Sequence, residues 1–126
     1  FAIGLDYLVC TLPGTATTRH IVDAALLAAL PPHAWLVNIG RGSAVDDLAL
    51  AEALHAGRLG GAVLDVFTQE PLPPEHPLWH TPNTFITAHT AAINYPHDIA
   101  AVFIENYLKY LRGDPLRGLV DFDLGY

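Results

Sequence analysis

The runs LDYLVCTLP (5–13), AWLVNI (34–39), GAVLDVF (61–67) and TFITA (84–88) are apolar at consecutive positions, without polar alternation. Side chains of a strand alternate between the two faces of its sheet, so an unbroken apolar run presents oily surface on both sides and needs cover. Between the first three runs lie segments of helical character, joined by short connections. Neighbouring parallel strands require such a crossover, whereas antiparallel ones do not. The pattern predicts an α/β fold, a parallel sheet flanked by helices.

The helices have readable ends. Asp23 is placed to cap AALLAAL (24–30), and Pro31-Pro32 stops it, because proline lacks the N–H and clashes with the preceding turn. A second helix is expected from about Asp46 to Ala56, ending at Gly57, and a third from Asp98 to Leu111, with Ile99, Val102, Phe103, Asn106 and Tyr110 near one side. EPLPPEHP (70–77) reads as a stiff loop, and Trp79 behind it as a core residue. A hydrophobic fraction of 52% against 15% charged residues fits a buried core rather than disorder.

Charge excludes one class of partner. Six basic against thirteen acidic residues give a net charge of −7, the wrong sign for a phosphate backbone, so nucleic acid is not an expected ligand. No apolar run approaches the roughly 18 residues of a membrane span. The single cysteine, Cys10, rules out an internal disulfide and fits a soluble protein of a reducing cytoplasm. The chain has no methionine and opens on Phe1 within an apolar stretch, without a charged leader, so a piece of a longer protein is expected.

In open parallel sheets, ligands sit beyond the carboxyl ends of the strands. Those ends are here Cys10-Thr11-Leu12-Pro13, Asn38 to Gly42, Asp65 to Glu70, and Ala88 to Thr90. Gly40-x-Gly42-x-x-Val45 imitates a dinucleotide fingerprint, but the third glycine is missing and an arginine inside the turn is atypical of one. The bland alternative is a tight turn with a solvated Arg41. Cys10 reads as a small core residue, since no neighbouring His and base would activate it. His76 and His80 are separated by Pro77, which breaks the helical pairing a zinc site would need, and no metal site is expected.

LVNIGRGSAVDDLALAEALHAGRLGGAVLDVFTQEPLP followed by PLWHTPNTFITAHTAA resembles the arginine, acidic and histidine segments of the D-isomer-specific 2-hydroxyacid dehydrogenases, in order. The resemblance runs from TLPGTATTRHIV to the last helix. EPLPPEHPLW and GLVDFDLGY are most similar to its glyoxylate/hydroxypyruvate reductase branch. Two departures stand out: Ala88 occupies the position before the histidine where the family usually has proline, and the family's Gly-rich fingerprint and most of its substrate domain have no counterpart.

The resemblance implies a partial Rossmann-like NAD(P)-binding domain. Residues 1–112 would be its C-terminal part, without the first Gly-rich βαβ half, and 113–126 a tail returning toward the substrate domain. It further implies reduction of small 2-oxo acids with NAD or NADP, and a homodimer is expected. Arg41 would clamp the substrate, because a planar guanidinium can grip the carboxylate and carbonyl oxygens together. Its glycine neighbours would permit a tight turn and close substrate approach. His89 would give the proton to the carbonyl oxygen and take it back in oxidation, with Glu70 holding the imidazole and favouring its charged form. Asp65 would meet the nicotinamide end, with Cys10, Thr11, Leu12 and Pro13 along the adenosine side and Ile39 and Gly40 completing the cofactor contacts. Residues 1–126 alone are expected not to turn over substrate. Two other readings are a corepressor-like binding protein of the same superfamily and a formate dehydrogenase, although the latter would carry glutamine at the position of Glu70.

Overall fold

The computed structural model describes residues 1–126 and contains two compact units, 1–91 and 92–126. In the first, β1 (Tyr7–Cys10), β2 (Trp35–Asn38), β3 (Gly61–Leu64) and β4 (Thr84–Ile86) form one sheet in the order β1-β2-β3-β4, every pair parallel. The helix α1 (Ala24–Ala29) connects β1 to β2, and α2 (Asp47–His55) connects β2 to β3. The expected α/β architecture is therefore present. Asp23 is the predicted cap, accepting from the Leu26 N–H at 2.8 Å, and Asp46, expected as the first residue of the second helix, is its cap, accepting from the Ala49 N–H at 3.0 Å.

Register decides what each face carries. Leu8 pairs with Leu36 and Leu36 with Ala62, so these side chains share a face with Leu64, and all are buried. Against them pack Leu27 of α1 and its C-cap residue Leu30 with Leu50 and Leu54 of α2. Each fully buried leucine contributes roughly 2 kcal/mol from lost water contact. Both helices thus lie on one face. The opposite face is also apolar, as the unbroken runs require, with Tyr7, Val9 and Phe85 exposed. There Trp35 stacks on Phe85 at 5.9 Å between ring centroids, crossing over Gly61, where a Cβ would come within 2.6 Å of the indole.

The second unit is α3 (Pro96–Arg112) and its tail. The helix starts two residues before the expected Asp98 because Pro96 occupies its first turn, where no N–H is needed. It ends at Gly113, whose φ of +73° is the left-handed cap glycine adopts without strain. None of its residues is buried, so the predicted apolar stripe of Ile99, Val102 and Phe103 lies open. Asn106 instead pins the tail, donating to the Arg117 carbonyl and accepting its N–H, each at 2.9 Å. No helix is long and apolar enough to cross a membrane.

Candidate active site

Because all four strands run in one direction, their carboxyl ends and the loops after them gather along one edge. The loop after β3 shapes the centre. Glu70 Oε1 accepts the Phe67 N–H at 2.9 Å, folding the acid back against its own strand end, and Oε2 lies 2.8 Å from Nδ1 of His89, in the loop after β4. Hydrogen bonding to His89 and to the Phe67 N–H holds the Glu70 carboxyl below its usual range. The carboxylate is thus an acceptor, so Nδ1 carries the proton of this bond.

Asp65 immediately follows β3 and is 3% exposed. Burial would push its carboxyl up, yet hydrogen bonds from Thr87, Thr90 and Ala91 outweigh it and leave the group below the usual range. Oδ1 takes the Thr87 hydroxyl and, at 2.9 Å, the Thr90 N–H; Oδ2 takes the Ala91 N–H at 2.9 Å. Its backbone carbonyl takes the His89 N–H at 2.8 Å. His89 is held at a φ of +54°, a left-handed conformation that a histidine adopts at some cost and that the surrounding bonds enforce. Asp65, Glu70 and His89 line a cleft of about 600 Å³ together with Leu72, Trp79 and Ile86.

Trp79 corrects the expectation of a core residue. It is 46% exposed, with its indole N–H donated to the Pro73 carbonyl at 2.8 Å, and it forms a wall of the cleft. Leu78 takes the buried place instead. The short 3₁₀ turn Pro77–His80 turns adjacent side chains to different sides, which a residue's size cannot foretell.

Arg41 is brought to the same sheet edge but does not line the cleft. Its Nη1 donates to the Gly40 carbonyl at 2.8 Å. The flanking glycines have a different reason from the one expected. Neither has a positive φ; rather, a Cβ on Gly40 would fall 2.7 Å from the Leu12 backbone, and one on Gly42 only 1.9 Å from the Phe67 carbonyl carbon. They allow neighbouring strand ends to press together. Cys10 is buried, and its carbonyl accepts the Ile39 N–H at 3.1 Å, which sets the Cys10–Pro13 segment beside Ile39 and Gly40. Leu12 and Ile39 are both exposed on that rim. His76 is spent capping its 3₁₀ turn through the Leu78 N–H.

Three contributors received no role in the sequence reading, although Asn38 and Thr90 stand among its strand ends. Thr87 and Thr90 flank His89 and bind Asp65, and Asn38, 1% exposed at the end of β2, bonds to both Gly40 and Arg41. The one available signal for Asn38 is a lone amide closing an apolar strand.

Residues 4–91 match the family described as D-isomer specific 2-hydroxyacid dehydrogenase, NAD binding domain. Over 126 residues the chain is 41% identical to glyoxylate/hydroxypyruvate reductase A of Klebsiella pneumoniae subsp. pneumoniae, and it spans 40% of that protein. A D-isomer specific 2-hydroxyacid dehydrogenase from Xanthobacter autotrophicus Py2, crystallised with NADPH and MES, matches with a TM-score of 0.95 and 40% identity, over 100% of this chain and 52% of the other. The NADPH-dependent glyoxylate/hydroxypyruvate reductase of Sinorhizobium meliloti, crystallised with NADP and sulfate, matches with a TM-score of 0.94 and 37% identity, over 100% of this chain and 42% of the other. The chain spans about two fifths of the length of the curated relatives it matches.

Proposed function

The chain belongs to the D-isomer-specific 2-hydroxyacid dehydrogenase family, and on that premise we propose that the protein reduces small 2-oxo acids such as glyoxylate and hydroxypyruvate to 2-hydroxy acids. The observation that carries this is the 2.8 Å pair of His89 and Glu70 at a cleft that Trp79 and Leu72 also line. A nicotinamide cofactor, NADPH or NADH, supplies the hydride when bound. Asp65 and His89 beside the cleft suit its nicotinamide end. The exposed Leu12 and Ile39, with Cys10, Thr11, Pro13 and Gly40 next to them in the chain, suit one wall of its adenosine side. The chain has no glycine-rich turn for the pyrophosphate, and we infer that residues 1–126 alone do not turn over substrate.

The chain's own residues divide the work by chemistry. Glu70 fixes the ring through Nδ1, which leaves Nε2 of His89 to give a proton to the carbonyl oxygen as the carbon is reduced, and to remove it in the reverse direction. Arg41, on the neighbouring strand end, takes the carboxylate of the 2-oxo acid in a two-pronged grip once its guanidinium leaves the Gly40 carbonyl. Residues 113–126 return toward the substrate-binding part of the protein. A homodimer in a reducing cytoplasm, where Cys10 stays a thiol, goes with this reading.

The test is consumption of NADPH and NADH by the full-length protein with glyoxylate and with hydroxypyruvate. His89→Ala should lower kcat by about a hundredfold or more while cofactor affinity stays within about twofold. Cofactor binding with no turnover of either acid would overturn the reading and point to a binding protein.

A further inference from the structure

Building on the reading of Arg41 as the substrate clamp, we propose that Asn38 is its positioning residue. Arg41 is an exposed side chain with several rotatable bonds, and its direction is governed by where its backbone is anchored. Asn38 provides that anchor from below. Its Oδ1 accepts the Gly40 N–H at 3.2 Å and its Nδ2 donates to the Arg41 carbonyl at 3.1 Å, so one planar amide spans the turn and sets the path of the chain between them. The same Arg41 carbonyl takes the Ala44 N–H at 3.1 Å, which ties the arginine to the end of the 3₁₀ turn Gly42–Ala44.

Asn38 is itself immobilised. It is 1% exposed, and its backbone carbonyl takes the Asp65 N–H at 3.0 Å, so the anchor of the arginine loop joins the residue that brackets the histidine loop. The turn offers one N–H and one C=O, a demand met by a group with one acceptor and one donor. An amide supplies both. A leucine or valine would leave the Gly40 N–H unpaired and the Arg41 carbonyl with the Ala44 N–H alone, and an ionised aspartate has no donor for that carbonyl. Asn38 touches neither substrate nor cofactor; it acts through Arg41.

The experiment is a double-mutant cycle in the full-length protein, with glyoxylate kinetics and NADPH affinity as separate readouts. Asn38→Ala should lower kcat/KM for glyoxylate by about tenfold and leave the NADPH Kd within about twofold, since displacing a binding group by an ångström is costly. Added to Arg41→Lys, it should cost no more than about a further twofold, because the residue it aims has already lost its grip. Full additivity, or an equal loss of NADPH affinity, would overturn the proposal. Asn38→Asp provides an arm that does not depend on Asn38→Ala folding. Its deficit relative to wild type should shrink as pH falls, when the protonated carboxyl regains a donor for the Arg41 carbonyl, and a deficit constant with pH would overturn it. Arg41→Lys without effect on glyoxylate kcat/KM would overturn the clamp reading beneath it, a result distinct from the others.

Discussion

Nδ1 of His89 and Oε2 of Glu70 stand 2.8 Å apart although 19 residues separate them in sequence, and the other oxygen of the same carboxylate is held by the Phe67 N–H at 2.9 Å. The acid is thus fixed by the end of one strand and fixes the ring at the end of the next.

That coupling predicts a pH signature. The bond from His89 lowers the Glu70 carboxyl, so the charge is present at neutral pH and strengthens the hold on the ring proton. Reduction draws on the proton at Nε2 of the ring so held. Glu70→Gln should lower kcat/KM in reduction by about tenfold at neutral pH, with a smaller loss in oxidation, and the gap to wild type should close as pH falls through the lowered Glu70 value. A gap constant with pH would return Glu70 to the status of a loop acid.

Asp65 should matter to stability as well as to the histidine. Asp65→Asn replaces one acceptor oxygen with a donor that must face a backbone N–H, a loss of about 2 to 3 kcal/mol at neutral pH. The wild-type carboxyl is lowered on folding, so its stabilising contribution is present above the ordinary aspartate range and lost as pH falls through the folded value. Denaturation midpoints of the two proteins should therefore converge on acidification. A gap unchanged by pH would contradict the charged bracket.

The two kinds of glycine should respond differently to alanine. Gly42→Ala sets a Cβ against the Phe67 carbonyl and should cost more than about 3 kcal/mol, displacing the residue whose N–H holds Glu70. Gly57, at a φ of +64° with open space around it, should lose only about 1 kcal/mol, from backbone strain. Equal losses in urea unfolding would refute the distinction.

Asp47 opens α2 with its carboxyl raised to about 6 by burial and, secondarily, by the adjacent Asp46. A folded value above the unfolded one means that the native state binds the proton more tightly, so stability is greatest below the ordinary aspartate range and declines as pH rises through about 6. The helix N-terminus favours the charge and offsets part of that cost. Asp47→Asn should stabilise by about 1 kcal/mol near pH ~8 and by nothing near pH ~4. A gain that persists in acid would rule out titration of Asp47 as its source.

Local chemistry made much of this protein readable from its sequence. Unbroken apolar runs call for covered parallel strands, Asp23 and Asp46 cap helices by reaching only three residues ahead, and a one-directional sheet must collect Arg41, Asp65, Glu70 and His89 on one edge. These features depend on neighbours along the chain or on period alone. Trp79 on the cleft wall, the collisions that demand Gly40 and Gly42, and the amide of Asn38 beneath Arg41 were decided by tertiary structure. So was the bracket of Asp65 around residues 22 to 26 positions away. Each arises where two segments distant in sequence are pressed together at a particular strand register, and a register belongs to the pair of strands, being set by how all the side chains of the core pack at once.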